Sequence, residues 1–119
     1  MTTCFASIAA LGCQRVPVTV EQVIDLTRCT PRQRLEFVAK CAPQASRAVD
    51  DVLNKYAWFL EMTGLPTAQL EDHFSDKQKR TEMFQKANDY GDSMFALLLS
   101  LDNLDKNESR PRLLRYLVI

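Results

Sequence analysis

The sequence contains little that breaks helices or builds tight turns. Only 3 of its 119 residues are glycine, and neither Asn-Gly nor Asp-Gly, the dipeptides typical of two-residue β-hairpins, occurs. Leucine and alanine together outnumber valine and isoleucine, which favours helices over strands. We therefore expect a single all-α domain over residues 1–119. It should be a compact bundle of about four to six helices, two of them long and amphipathic.

Residues suited to catalysis and metal binding are equally scarce. His73 is the only histidine, so no pair of histidines can bind a metal. The four cysteines form no C-x-x-C pair, and without a convincing signal peptide we expect reduced thiols in a cytoplasmic protein. No glycine-rich phosphate loop, G-x-S-x-G or H-E-x-x-H motif occurs. The sequence thus predicts a non-catalytic protein with no catalytic residues, no cofactor and no metal.

The chain also lacks a net charge and a long apolar run. It has 15 basic and 15 acidic residues, so it lacks the basic excess typical of nucleic-acid-binding proteins and does not repel a second copy. No apolar run approaches the roughly 20 residues of a membrane helix, so no membrane partner is expected. The charge is uneven, because residues 61–105 have 9 acidic and 4 basic groups, whereas residues 106–119 have 4 basic groups and 1 acidic group.

Capping patterns mark where helices begin. Thr19, Thr30 and Ser75 are each followed three residues later by glutamine, a capping box in which each side chain satisfies a free backbone amide of the other. Pro43 is expected to open a helix, and Gly64 to close one in the left-handed conformation. These signals predict helices over residues 20–28, 31–41, 43–63, 67–74 and 76–104.

Two predicted helices have a continuous apolar face. At about 100° per residue, the helix over 43–63 aligns seven side chains: Val49, Val52, Leu53, Tyr56, Phe59, Leu60 and Thr63. The helix over 76–104 aligns Met83, Ala87, Tyr90, Met94, Leu97, Leu98 and Leu101, widened by Phe84 and Phe95. Trp58 lies on the opposite, polar side of the first helix, and Met62 flanks it. Unless the N-terminal arm or the C-terminal tail covers them, these two residues predict a partner-binding surface, because tryptophan and methionine are enriched there.

The two ends of the chain complete the prediction. Residues 1–18 are expected to form an N-terminal arm or a short helix. Residues 106–119 form a basic and apolar tail, which we expect to dock on its own core or on a second subunit. The sequence therefore predicts a small adaptor or regulatory protein of prokaryotic type, acting through protein–protein contacts as a homodimer. Its predicted partner-binding residues are Trp58, Met62, Arg110, Arg112, Arg115 and Tyr116.

Two other functions stay open from the sequence. The first is a DNA-binding transcriptional regulator with a helix-turn-helix near residues 28–56, whose phosphate contacts would come from Arg28, Arg32, Arg34, Lys40 and Arg47. Asp50 and Asp51 on the recognition helix would repel phosphate. The second is a Mg²⁺-dependent all-α nucleotide pyrophosphohydrolase that uses carboxylate ligands from Asp50, Asp51, Asp89 and Asp92.

Overall fold

A computed structural model describes residues 2–13 and 19–103. Within these ranges the chain forms six α-helices and no strand, which confirms the all-α prediction. The helices are α1 (Thr2–Gly12), α2 (Val20–Thr27), α3 (Pro31–Cys41), α4 (Ser46–Thr63), α5 (Thr67–Ser75) and α6 (Lys77–Asn103). The two long helices that the sequence predicts are α4 and α6. The tail over residues 106–119 lies outside the described residues.

The two threonine capping boxes are confirmed. Thr19 accepts a hydrogen bond from the backbone N–H of Gln22, and the Gln22 side chain accepts one from the Thr19 N–H. Thr30 and Gln33 repeat this exchange at the start of α3. Each box satisfies two amides that a helix N-terminus otherwise leaves free, and this local chemistry fixes where α2 and α3 begin.

Two predicted helix starts and the predicted conformation of one cap are corrected. Ser75 is the last residue of α5, and Asp76 caps α6 instead by accepting the Lys79 N–H. The carboxylate caps as a hydroxyl does, and its charge also suits a helix N-terminus. Gly64 ends α4 with φ −83° and ψ −5°, an ordinary right-handed conformation. Pro43 opens a 3-10 turn, Pro43–Ala45, and α4 itself starts after it.

The core lies where α1, α3, the first half of α4 and the second half of α6 meet. Sixteen apolar residues are buried there: Ala6, Ala9, Ala10, Cys13, Leu26, Leu35, Val38, Ala42, Ala45, Val49, Val52, Tyr90, Met94, Leu97, Leu98 and Leu101. The alanines on α1 let this helix approach its neighbours closely. The apolar faces of α4 and α6 are buried only in part, because the buried residues of α4 end at Val52 and those of α6 begin at Tyr90.

Polar contacts fix the helices around this core. The guanidinium of Arg34 donates to the Leu26 carbonyl at 2.9 Å and to the Ser7 hydroxyl at 2.7 Å, so one side chain of α3 joins α2 and α1. The Thr2 hydroxyl lies 2.8 Å from the Tyr90 hydroxyl and joins the start of α1 to the middle of α6. A hydrogen bond of this kind contributes about 0.5–1.5 kcal/mol.

Helix length divides the molecule into two regions. α4 and α6 have 18 and 27 residues, whereas α1 and α3 have 11 each. At about 1.5 Å per residue, α6 is about 40 Å long and α1 only about 16 Å. The uncovered parts of α4 and α6, with α5 between them, form a protruding hairpin over residues 54–89, which we call the distal hairpin. The remaining described residues form the core half. The molecule measures 50 × 28 × 27 Å.

Candidate protein interface

The distal hairpin has no interior. From residue 53 to residue 89, a stretch that the structure describes in full, no residue is buried. Four large apolar side chains are instead well exposed: Phe59 (40%), Leu60 (51%), Phe74 (50%) and Phe84 (56%). Large apolar groups gathered in one region of a surface indicate a site of association, whereas single exposed apolar residues need no explanation.

Three contacts join α4 to α6 along the distal hairpin. The Lys55 ammonium donates to the Asp89 carbonyl at 3.2 Å. The rings of Phe59 and Tyr90 lie 6.0 Å apart between centroids. Further out, the Lys86 ammonium lies 5.6 Å from the centre of the Trp58 ring. The two helices therefore run antiparallel, and α6 lies against the side of α4 that bears Lys55 and Trp58.

This packing leaves the outer end of the α4 apolar face open. Val49 and Val52 are buried in the core, where α4 packs against α3 and α6, and Tyr56 is half-buried at the edge of the core. Leu60, one turn further along the same face, is 51% exposed, because α1 and α3 do not extend over it. We use the name distal face for the incompletely buried apolar residues that α4 and α6 contribute to the distal hairpin: Tyr56, Phe59, Leu60, Met83 and Phe84.

The predicted anchors Trp58 and Met62 are both half-buried in the distal hairpin. Lys86 of α6 covers part of the Trp58 ring, and a cation over an indole at such a site contributes about 0.5–1 kcal/mol. Sequence reasoning considered the N-terminal arm and the C-terminal tail as covers, and it did not consider α6. The other predicted partner-binding residues, Arg110, Arg112, Arg115 and Tyr116, lie outside the described residues.

Sequence reasoning assigned Phe59 and Leu60 to the core and did not single out Phe74 or Phe84 as contact residues. A signal was nevertheless available in the predicted helix lengths. Apolar faces on two long helices cannot both be covered along their whole length by helices about half as long. The surplus of apolar face over available cover therefore indicates an exposed surface before any coordinates are known.

The distal hairpin carries charges of both signs. The side chain of Asp72 on α5 accepts a hydrogen bond from the Lys79 ammonium on α6. This bond and the charge of Lys79 lower the pKa of Asp72, and the same pair raises the pKa of Lys79. Residues 54–89 contain five basic and six acidic residues, so the hairpin is close to neutral.

The basic residues considered for DNA binding are partly engaged elsewhere. Arg34 makes its two hydrogen bonds inside the fold, and Arg32 pairs with Glu36 at 3.2 Å on the surface of α3. Asp50 and Asp51 are exposed on the first turns of α4, where they would face an approaching phosphate backbone. This arrangement gives no support to the helix-turn-helix hypothesis beyond what the sequence offered.

Of the carboxylates considered for Mg²⁺, that of Asp51 pairs with a lysine. The Lys55 ammonium is 3.1 Å from Asp51 Oδ2 and also bonds the Asp89 backbone, so a positive group lies between these two positions. Among residues 2–13 and 19–103, no three side chains of histidine, cysteine, aspartate or glutamate are grouped as a metal site would require.

Comparisons of the chain with protein-family models, with curated proteins and with solved structures found no match. None of the helices within the described ranges has both the length and the apolar character needed to cross a membrane. The distal face is accordingly the feature of this molecule from which a function is best argued.

Proposed function

We propose that this protein acts through protein–protein contacts as a homodimeric adaptor or regulatory protein, and that the distal face is the surface joining two copies. The observation that carries the proposal is the 37-residue stretch from Leu53 to Asp89, which has no buried residue yet exposes Phe59, Leu60 and Phe84. A second copy would bury the exposed part of these side chains, which is about half of each and contributes about half of the roughly 1.5–3 kcal/mol that full burial gives.

The geometry of two antiparallel helices suits a second copy. α4 and α6 each extend an apolar face past the core, which is half of a four-helix bundle. Two such halves related by a two-fold axis complete the bundle, because each contact of one copy is repeated by the other. Trp58 and Met62, both half-buried, would border the joined faces and keep a share in the interface.

Electrostatics also favour association with an identical chain. The whole chain is neutral, and the distal hairpin carries five basic and six acidic residues. A surface of mixed and balanced sign can pair with its own copy without the like-charge repulsion that a strongly acidic or basic surface would meet. A strongly charged partner, such as a nucleic acid, gains no comparable attraction from this hairpin.

The test compares two phenylalanines on the same helix. Phe84 in the distal hairpin is 56% exposed, and Phe95 in the core half is 54% exposed. We expect Phe84→Asp to convert a dimer into a monomer of 13.6 kDa, because the new carboxylate would be buried in the interface. We expect Phe95→Asp to leave the dimer intact. The measurement is light-scattering mass after size exclusion, over a tenfold concentration range, with helicity checked by circular dichroism.

Each outcome decides the proposal. Dissociation of the Phe84 variant alone supports the distal face as the interface. A wild-type chain that stays monomeric at every concentration contradicts the homodimer. Equal behaviour of the two variants places the contact elsewhere, since the substitutions match in chemistry, exposure and helix.

A further inference from the structure

A second apolar surface lies on α2, at a distance from the distal hairpin. Val20 is 75% exposed, Val23 42% and Ile24 44%, although all three are β-branched apolar residues. At about 100° per residue they lie within one arc of about 100° on the helix. Of the eight residues of α2, only Leu26 is buried. The fold therefore uses one side chain of this helix and leaves its apolar face without cover from the described residues.

The charges of α2 are of one sign. Glu21 and Asp25 are its only ionisable residues, and both are exposed. A segment suited to this helix would combine aliphatic side chains with basic ones. Residues 110–119 of this chain have that composition, with three arginines, one tyrosine and five aliphatic residues.

The tail continues from the end of α6, which lies at the same end of the molecule as the end of α1. α1 runs beside α6 in the same direction, since Thr2 contacts Tyr90 whereas Phe5 and Ala6 share a small cavity with Leu97 and Leu98. The end of α1, where Leu11 is 40% exposed, therefore lies towards the end of α6. α2 packs against α1 as the next helix in the chain.

An independent observation comes from a carboxylate near the end of α6. Asp102 Oδ1 is buried and has no hydrogen-bond partner in the described part of the chain. A buried acceptor of this kind costs about 1–3 kcal/mol unless a donor reaches it. Lys106 and the three arginines follow Asp102 within 13 residues, and each carries the donors that a carboxylate needs.

We propose that residues 110–119 lie on α2 of the same chain, with Leu113 and Leu117 against Val20, Val23 and Ile24, and with arginines paired to Glu21 and Asp25. The linker 104–109 can extend about 20 Å at most, which suits a neighbouring helix rather than the distal hairpin. Attachment to the same chain gives the tail an effective concentration of about millimolar, so it outcompetes a tail from another copy. This proposal is independent of the dimer proposed above.

The test uses the full chain with ¹³C-labelled methyl groups. We expect nuclear Overhauser effects between the methyls of Leu113 or Leu117 and those of Val23 and Ile24, at concentrations where the mass is that of one chain. The Leu117→Asp variant should lose these signals and shift the α2 methyls, because a charge cannot occupy the apolar face. Their absence in the wild-type chain would overturn the proposal.

Two controls separate this proposal from its alternatives. Phe84→Asp should leave the α2 signals unchanged, whatever it does to the dimer. Mixed labelled and unlabelled chains should show no intermolecular effect to α2; if they do, the tail is exchanged between copies and the proposed pairing within one chain is wrong. A charge reversal tests the pairing of the arginines with α2. Arg112→Glu should weaken the contact, and Glu21→Arg added to that variant should restore it.

Discussion

The core half and the distal hairpin are built from the same two helices, yet they differ completely in burial. α4 and α6 pass through both regions without interruption. In the core half they contribute Val49, Val52, Leu98 and other residues with almost no exposure, whereas the hairpin contributes none. An amphipathic pattern therefore shows which side of a helix can be buried, and the length of the neighbouring helices determines how much of that side is buried.

The core half and the distal hairpin should also differ in local stability. The core half gains from apolar burial, at about 25 cal/mol per Å². The distal hairpin depends on surface contacts, such as the Lys55 hydrogen bond to the Asp89 carbonyl and the Asp72–Lys79 pair, and on the Asp76 cap. Exposed ion pairs add little to stability, because water screens their charges and the long side chains lose entropy when they pair. In the isolated chain the hairpin should therefore open locally more often than the core half.

The largest expected effect compares two leucines. Leu98 is 1% exposed in the core half, and Leu60 is 51% exposed in the hairpin. Leu98→Ala should lower the free energy of unfolding by about 2–5 kcal/mol, because it leaves a cavity in a packed interior. Leu60→Ala should cost less than about 1 kcal/mol. Urea unfolding, at dilutions where the mass is that of one chain, measures both, and equal losses would show that the hairpin belongs to the core.

An intermediate effect is expected where the two regions meet. Tyr90 is 6% exposed and its hydroxyl contacts Thr2. Burial raises its pKa above the usual 10.0, partly offset by the Thr2 hydrogen bond. The neutral phenol is the form that folding favours, so this contribution is complete below about pH 10 and is lost as the pH rises through the raised pKa.

Two measurements test the role of Tyr90. Absorbance titration should show one of the three tyrosines ionising above the others, and Tyr90→Phe should remove that step. The same variant should cost about 0.5–1.5 kcal/mol through the lost hydrogen bond. If its late ionisation persists in the variant, the buried phenol is not Tyr90.

The smallest effect concerns backbone entropy within α6. A Cβ added at Gly91 would meet nothing within 4 Å. Gly91→Ala should therefore stabilise the fold by about 0.5–1 kcal/mol, because glycine loses more conformational freedom in a helix. The reverse change in the hairpin, Ala87→Gly, should lower local protection against hydrogen exchange more than it lowers the global free energy of unfolding. A full global loss for Ala87→Gly would mean that the two regions unfold as one unit.

Much of the fold follows from local sequence. The prediction of a helix over 31–41 is confirmed to the residue, because Thr30 and Pro31 supply its start. Predictions failed where two local solutions compete, as at residues 75–76, where either side chain can cap. The residues that form the apolar faces of the two long helices could also be predicted from the sequence. The partner-binding role of Trp58 and Met62 stays a prediction, and both side chains are half-buried in the distal hairpin. Leu60 and Phe84, which are 51% and 56% exposed, were placed on faces expected to be buried.

Local sequence specifies most of the helices, the two threonine caps and the apolar side of each long helix, because these depend on neighbours within a few residues along the chain. The burial of Leu98, the exposure of Leu60 and the cover of Trp58 by Lys86 follow from tertiary packing instead. Those outcomes depend on how far α1 and α3 reach along α4 and α6. Burial is a property of contacts between distant segments, and a periodic pattern carries no information about where its cover ends.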